Sequence, residues 1–321
     1  MKRNIIIPLL IMTLVIFITL SGCSKKKPEV KEPNEKIEDT NEVVKEDENQ
    51  KEKIMKNFKA IVESDNGPDA IIKYIEENIG KVSQLEGDKM ISDLEKTQEK
   101  YLETYTDMLL DEDKESELMS ISSEEIFFPE DKMKDIKNKE LKEIVSKIFN
   151  SKYKLINLEG AYYPIIDYEK LKVYNNHITD EWKEYIAIKS IDSNEPAIID
   201  AGLRITFDDL ASRMIKIESF IKKYSEGQRY EEMLRWYGGY LKVYLGGTDN
   251  TPIADNNTKK IHDEVFDSYK RTSNMKNTVT SEIVSKYVSI IEDNNKIIND
   301  TVTSKITGLY NEAISLLEEH K

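Results

Sequence analysis

The sequence predicts an all-α protein: a multi-helix bundle preceded by a disordered tether and a signal peptide. Three observations carry that prediction. Beyond residue 50, apolar residues recur in steps of three and four over most of the chain. Residues 24–50 are dominated by Lys, Glu, Asn, Asp and Pro, with neither an aromatic residue nor a glycine. The first 22 residues are a basic start followed by a nearly unbroken apolar run.

The N-terminus comes first. Met1-Lys2-Arg3 is basic, and residues 5–20 carry no charge. That run has the length of a signal-peptide core and falls short of the roughly 18 apolar residues of a membrane span. Leu20-Ser21-Gly22-Cys23 follows directly. An aliphatic residue, two small residues and a cysteine in this place resemble the lipobox of bacterial lipoproteins. The resemblance covers residues 1–23 only. It implies cleavage before Cys23, whose thiol is the nucleophile that accepts a diacylglyceryl group. Two acyl chains then make a stable anchor where one would be marginal. The plainer alternative is an uncleaved N-terminal membrane helix with an incidental cysteine.

Cys23 is the only cysteine, so intramolecular disulfides and Cys-based zinc sites are excluded. Lys25, Lys26 and Lys27 follow, suited to anionic headgroups or to the start of a solvated stalk. Cleavage removes Lys2 and Arg3 and no acid, which takes the net charge of −14 two units lower, to −16. Such a balance argues against a nucleic-acid partner. It suits a body held off an acidic wall and membrane. Together with the lipobox, the abundance of Lys, Asn, Ile and Glu points to a Gram-positive bacterium and to the outer face of its cytoplasmic membrane. The expected layout is therefore a signal peptide at 1–22, a lipidated cysteine and charged tether at 23–50, and a helical extracytoplasmic domain at 51–321. A sub-boundary is expected near residue 152. The tether cannot bury enough apolar surface to offset ordering; as a flexible coil it reaches on the order of 30 Å.

The helices follow in order. Ile71, Tyr74, Ile75 and Ile79 mark one after the Asn66-Gly67-Pro68 turn, and Leu94, Tyr101, Tyr105 and Met108 a long one after Gly87. Leu141, Ile144, Val145 and Ile148 mark another. The middle is less regular. Ile126-Phe127-Phe128-Pro129 and the run from Ala161 to Tyr168 read as short extended pieces or loops packed on the bundle, with no alternation long enough for a sheet. Thr179 opens a further helix. The clearest one runs from Phe207 to about Lys223, with Leu210, Met214, Ile217 and Ile221 on one face, Thr206 as N-cap, and Asp208 and Asp209 in the first turn.

The next helix, Arg229 to Leu245, is apolar almost all round, as a central helix is. Gly238-Gly239 in its middle points to a close neighbour or a kink, because each glycine costs about 1 kcal/mol against alanine. Gly246-Gly247 ends it, and Thr248 to Asn257 reads as a loop. Ile283, Tyr287, Ile290 and Ile291 give one more helix; Val302, Ile306, Leu309, Ala313 and Leu316 give the last. No internal repeat of fixed period is visible.

Familiar catalytic signatures are absent: no phosphate-cradling glycine loop, no G-x-S-x-G, no H-E-x-x-H. His177, His262 and His320 share no helix-face spacing, so surface or capping roles outweigh a metal or triad. Glu231-Glu232 and Asp208-Asp209 read as solvated or dipole-complementing acids. The oxygen-rich loop Asp249 to Asn257 lacks the alternation and central glycine of an EF-hand, so a turn outweighs a calcium site. No cofactor and no metal is expected.

One feature suggests binding. Tyr162, Tyr163, Tyr168, Tyr174, Trp182 and Tyr185 precede Tyr230, Trp236, Tyr237, Tyr240 and Tyr244, interleaved with Arg204, Arg213, Arg229 and Arg235. Trp, Tyr and Arg favour interfaces, and stacked rings with a guanidinium can hold a sugar, peptide or amino acid. The candidate binding residues are Tyr162, Tyr163, Asp167, Arg235, Trp236, Tyr237 and Tyr240. Helical core packing with hydroxyls reaching the surface is the competing explanation. The stretch Leu158 to Tyr168, with Gly247-Thr248-Asp249-Asn250-Thr251-Pro252, is similar to segments of Gram-positive lipoproteins, a resemblance that carries no activity with it.

The resulting expectation is a non-enzymatic binding or interaction module, anchored to the membrane through Cys23 and facing an envelope protein or cell-wall partner. A solute-binding lipoprotein of a transporter is the first alternative, weakened because the alternating strands and helices of the common two-lobed folds are missing. An envelope hydrolase using carboxylates is the second.

Overall fold

Each amphipathic helix must cover its apolar stripe with another, and the order of the helices decides which stripes meet. The computed structural model describes residues 39–319, with side chains from residue 48. The signal peptide at 1–22, Cys23, Lys25, Lys26, Lys27 and His320 lie outside these residues. Helix α1, Asp39–Glu63, buries Ile54 and Phe58. It begins inside the segment expected as tether. Between Asp39 and Glu63 the chain has neither proline nor glycine and is rich in Glu and Lys, a composition that lets a helix held further along by Ile54 and Phe58 continue.

Helix α2, Pro68–Asn78, starts with proline in its first turn after Gly67 at φ 87°. Helix α3, Gln84–Leu109, opens on a capping box between Ser83 and Glu86. Gly87 thus lies inside its first turn rather than ahead of it. Only a glycine fits there, since a Cβ would stand 2.1 Å from the His177 carbonyl oxygen. Helix α4, Glu112–Ser122, and helix α5, Lys139–Asn150, capped by Asn138, complete the first part.

Between α5 and the later helices the expectation of no sheet is overturned. Strand β1, Tyr153–Leu158, pairs antiparallel with β2, Ala161–Ile166, across Glu159 and Gly160, both at positive φ as a two-residue hairpin turn requires. The alternation is real but hidden: every residue of β2 is apolar or aromatic, while only Tyr162, Pro164 and Ile166 are buried. Pro164 is tolerated because it faces Leu155, whose carbonyl accepts from Phe128 N on the other side at 2.9 Å. That pair needs no donor from β2. The 126–129 stretch is therefore extended, bridging β1 at Phe127 and Ile156.

Helix α6, Tyr168–Leu171, leads through a 3-10 turn to α7, Asp180–Asn194. Strands β3, Ile198–Ile199, and β4, Gly202–Leu203, form a minimal hairpin. Helix α8, Phe207–Lys223, begins where expected, with Thr206 and Asp209 in a capping box. Helix α9 spans Tyr230–Gly246; although its composition predicts burial all round, it buries one broad face, from Tyr230 and Met233 to Tyr244 and Leu245, and leaves Glu231, Arg235, Gly239 and Lys242 exposed on the other. The loop that follows contains the two-residue strands β5, Gly247–Thr248, and β6, Thr251–Pro252. Helices α10, Asp263–Ser273, and α11, Val279–Asp293, come next; the last expected helix is divided into α12, Asp300–Thr303, and α13, Ile306–Glu318.

Helix α8 packs on α9 and α10 on α11, and α13 closes against both α9 and α11. One hydrophobic cluster runs from Ile54 to Leu317. Lys152, at φ 59°, is the turn from α5 into β1, and the cluster continues across it. Residues from Asp47 onward form one unit. Among the described residues no helix is long and apolar enough to cross a membrane.

The buried polar residue that ties this bundle together is Glu218 of α8, 1% exposed. Its carboxylate accepts from Val279 N at 2.6 Å, from Thr280 N at 2.9 Å and from the Thr280 hydroxyl at 2.7 Å, all at the start of α11. Lys222 pairs with it at 2.6 Å. Amides left open at a helix N-terminus are thereby filled by a charge that the helix dipole favours.

Candidate functional site

Four segments converge on one cleft, and their spacings explain why. On α3, Glu95, Glu99 and Leu102 follow in steps of four and three; on α7, Tyr185, Lys189 and Asp192 do the same; on α9, Glu232, Trp236 and Tyr240 are four apart. Each set shares a helix face. The hairpin adds Ile156, Leu158, Ile165 and Ile166, and Pro196 and Ile198 close one end. The enclosed space is about 480 Å³, open to solvent, with an apolar trough and charged groups on its helical walls.

Lys189 lies on the inner wall. Its ammonium is 3.1 Å from Glu232 Oε1 and stands 5.0 Å, 5.7 Å and 5.1 Å from the ring centres of Tyr168, Tyr185 and Trp236. Behind it is a second, deeper pair. Glu95, 2% exposed, is bonded to the Arg229 guanidinium and accepts from the Tyr168 hydroxyl at 2.6 Å. Tyr185 Oη lies 2.6 Å from Glu95 Oε1 and 2.9 Å from Glu232 Oε1, so its single proton is offered to one of two carboxylates. Arg229 also donates to Glu232 at 3.1 Å and stacks on Trp182 and Tyr185 at 4.1 Å and 4.5 Å from their ring centres.

Two acids thus face two bases, and the network is neutral as a whole. Burial raises the Tyr168 and Tyr185 hydroxyls far above the usual phenol value, which keeps both as protonated donors. Burial also pushes the Glu232 carboxyl up, but Lys189, Arg229 and the Tyr185 hydroxyl together outweigh it and leave it below the ordinary carboxylate value. At the other end of the cleft, Asp192 is held by Arg213 at 3.1 Å and by the Tyr240 hydroxyl, while Arg213 also reaches Glu195 at 2.7 Å.

Of the candidate binding residues, Trp236 lines the cleft and Tyr240 stands behind it. The others are placed elsewhere. Tyr162 is core: it donates to the Ser122 carbonyl and meets Phe128 edge-on at 5.4 Å. Tyr237 is fully buried, its hydroxyl 3.0 Å from Thr280 Oγ1. Asp167 is buried against Lys154 at 3.0 Å. Tyr163 is half-buried on the other face of β2 from Tyr162, and Arg235 is exposed. The residues that reasoning from sequence passed over are Glu99, Lys189 and Glu232. By composition Glu232 belongs with the solvated acids, and its four-residue spacing to Trp236 and Tyr240 is the signal that places it on the cleft face instead.

The oxygen-rich loop is closed on itself: Asp255 accepts from the amides of Asn257 and Thr258 at 3.0 Å and 2.7 Å and from the Thr258 hydroxyl at 2.9 Å. The His177 ring faces Gly80, and His262 takes the N-cap position of α10. Among the described residues no group of three or more His, Cys, Asp or Glu side chains is arranged to hold a metal ion. No protein family, curated protein or solved structure matches this chain.

Proposed function

We propose that this chain is a lipid-anchored, non-enzymatic binding module of the cell envelope, carried on Cys23 at the outer face of the cytoplasmic membrane, with the cleft between α3, α7, α9 and the β1–β2 hairpin as its ligand site. The observation that carries this is the pairing of an apolar trough with helical walls whose inner charges, Lys189, Glu232 and Asp192, are already paired inside the protein. A site for acid–base chemistry needs a titratable group left poised for proton transfer. Here Lys189, Glu232 and Asp192 are each committed to a partner, and the tyrosines are fixed as donors. Such an arrangement holds its shape and offers surface to a guest, as binding sites do. The lipobox resemblance and the acidic body support the location.

The test is a thermal melt of the full chain with and without muropeptides, sugars, amino acids and amines. A compound at about a hundred times its dissociation constant adds about 2.7 kcal/mol to stability. The expected result is a rise with one class of compound that disappears in Trp236→Ala. Turnover of any of these compounds by the purified chain would replace the binding reading with an enzymatic one.

A further inference from the structure

We infer that the cleft takes a small organic ammonium compound, its apolar body in the trough beside the hairpin and its cation next to Glu99 on the α3 rim. This inference rests on the cleft being the binding site and names the chemistry of its guest.

Four charged side chains line the cleft: Glu99, Lys189, Asp192 and Glu232. Glu232 has Lys189 and Arg229, and Lys189 has Glu232. Asp192 has the Tyr240 hydroxyl and Arg213, which it shares with Glu195 outside the cleft lining. Glu99 is exposed and has no basic partner among the described residues. Its charge nevertheless acts on the Tyr168 hydroxyl, which places it beside the cleft wall and not merely on an outer face. One uncompensated negative charge at the mouth of an apolar trough selects against anions and is indifferent to neutral guests. It is complemented by a single positive charge.

Lys189 already sets an ammonium 5.0 Å from the Tyr168 ring centre and 5.1 Å from that of Trp236. These rings thus have a cation of the protein's own against them, and the guest's ammonium is placed by Glu99 at the rim, with its apolar body against the trough. A divalent metal is a poor fit, because the other two carboxylates of the cleft are held by Arg213 and by Lys189 with Arg229. An apolar amine uses both the trough and the rim.

The probes are benzylammonium, benzyl alcohol and benzoate, which share a ring and differ in charge. Each is titrated calorimetrically into the full chain in detergent, with detergent alone as the blank. Benzylammonium is expected to bind about fivefold more tightly than benzyl alcohol, the upper scale of one exposed ion pair. In Glu99→Gln that advantage is lost while benzyl alcohol binding is unchanged. In Glu99→Lys the preference turns toward benzoate. Because Glu99 is exposed, both variants keep the helical spectrum of the parent.

Equal binding of benzylammonium and benzoate, or a preference that survives in Glu99→Gln, overturns the ammonium assignment. Equal binding of benzylammonium and benzyl alcohol overturns it too, while leaving the cleft as a site for apolar guests. No Trp236→Ala-sensitive binding by any of the three removes the proposed site itself.

Discussion

The ring of Tyr310 lies so close to Gly238 that a Cβ on that glycine would stand 2.7 Å from Tyr310 Cε2, whereas a Cβ on Gly239 would meet nothing within 4 Å. Two adjacent glycines of one helix thus have different reasons to exist. Gly238 admits α13, which packs on α9. Tyr310 is further held by Lys242, 4.3 Å from its ring centre.

Gly239→Ala is therefore expected to stabilise the protein by about 0.8–1 kcal/mol, the helix-propensity difference on an open surface. Gly238→Ala gains the same propensity but must displace Tyr310. Overpacking of this kind costs about 1–3 kcal/mol. Chemical denaturation of the two variants should place Gly238→Ala below Gly239→Ala. Equal midpoints would mean that Tyr310 moves aside at no cost.

Glu218→Ala is expected to be among the most damaging single substitutions. It leaves the Val279 and Thr280 amides and the Thr280 hydroxyl without their acceptor in a buried place. The cost of such orphaned donors is about 1–3 kcal/mol. A loss of about 3 kcal/mol, with slowed exchange protection disappearing first at the amides of Val279 and Thr280, is the expected result. Uniform loss of protection over the whole chain would count against a local capping role.

Glu232 sets an acid dependence. Its carboxyl sits below the ordinary value because Lys189, Arg229 and the Tyr185 hydroxyl outweigh burial. A carboxyl depressed in the folded state is protonated first in the unfolded chain, at a pKa of about 4.3. Its stabilising contribution is present above that pH and is lost as pH falls through the lower folded value. Stability measured from about pH 6 down to about pH 3 should fall less steeply in Glu232→Gln than in the parent across the lower part of that range. Parallel curves would show that the pairing does not hold the carboxyl down.

Cys23→Ser tests the anchor. In cells, the parent should sediment with membranes and incorporate a radiolabelled fatty acid, and the substituted chain should do neither. Unchanged fatty-acid incorporation would rule out Cys23 as the acceptor. Membrane retention without labelling in the parent would favour an uncleaved N-terminal helix.

Helix α8 was legible because its signals are local. Thr206 and Asp209 close a capping box three residues apart, and Leu210, Met214, Ile217 and Ile221 mark a stripe that needs no knowledge of its partner. The same holds for α5, whereas the apolar composition of α9 concealed an exposed face at Arg235, Gly239 and Lys242. The β1–β2 hairpin escaped because β2 reads Ala-Tyr-Tyr-Pro-Ile-Ile, apolar on both faces, and period-2 alternation is invisible when neither face is polar.

The aromatic-rich segments were visible in the sequence, but their sorting was not. Tyr162 and Tyr237 are core and Trp236 is cleft, although all three belong to the same composition. By itself the sequence determined the helical class, the limits of α8 and α9 to within a residue or so, the charge and the lipobox-like start, since propensity, capping and periodicity act within a few residues. Only the tertiary structure decided that Glu99, Tyr168, Lys189 and Trp236 share one cleft and that Glu99 alone among its charges is left uncompensated. Burial and charge pairing depend on which helix faces meet, and that is settled by packing across the whole chain.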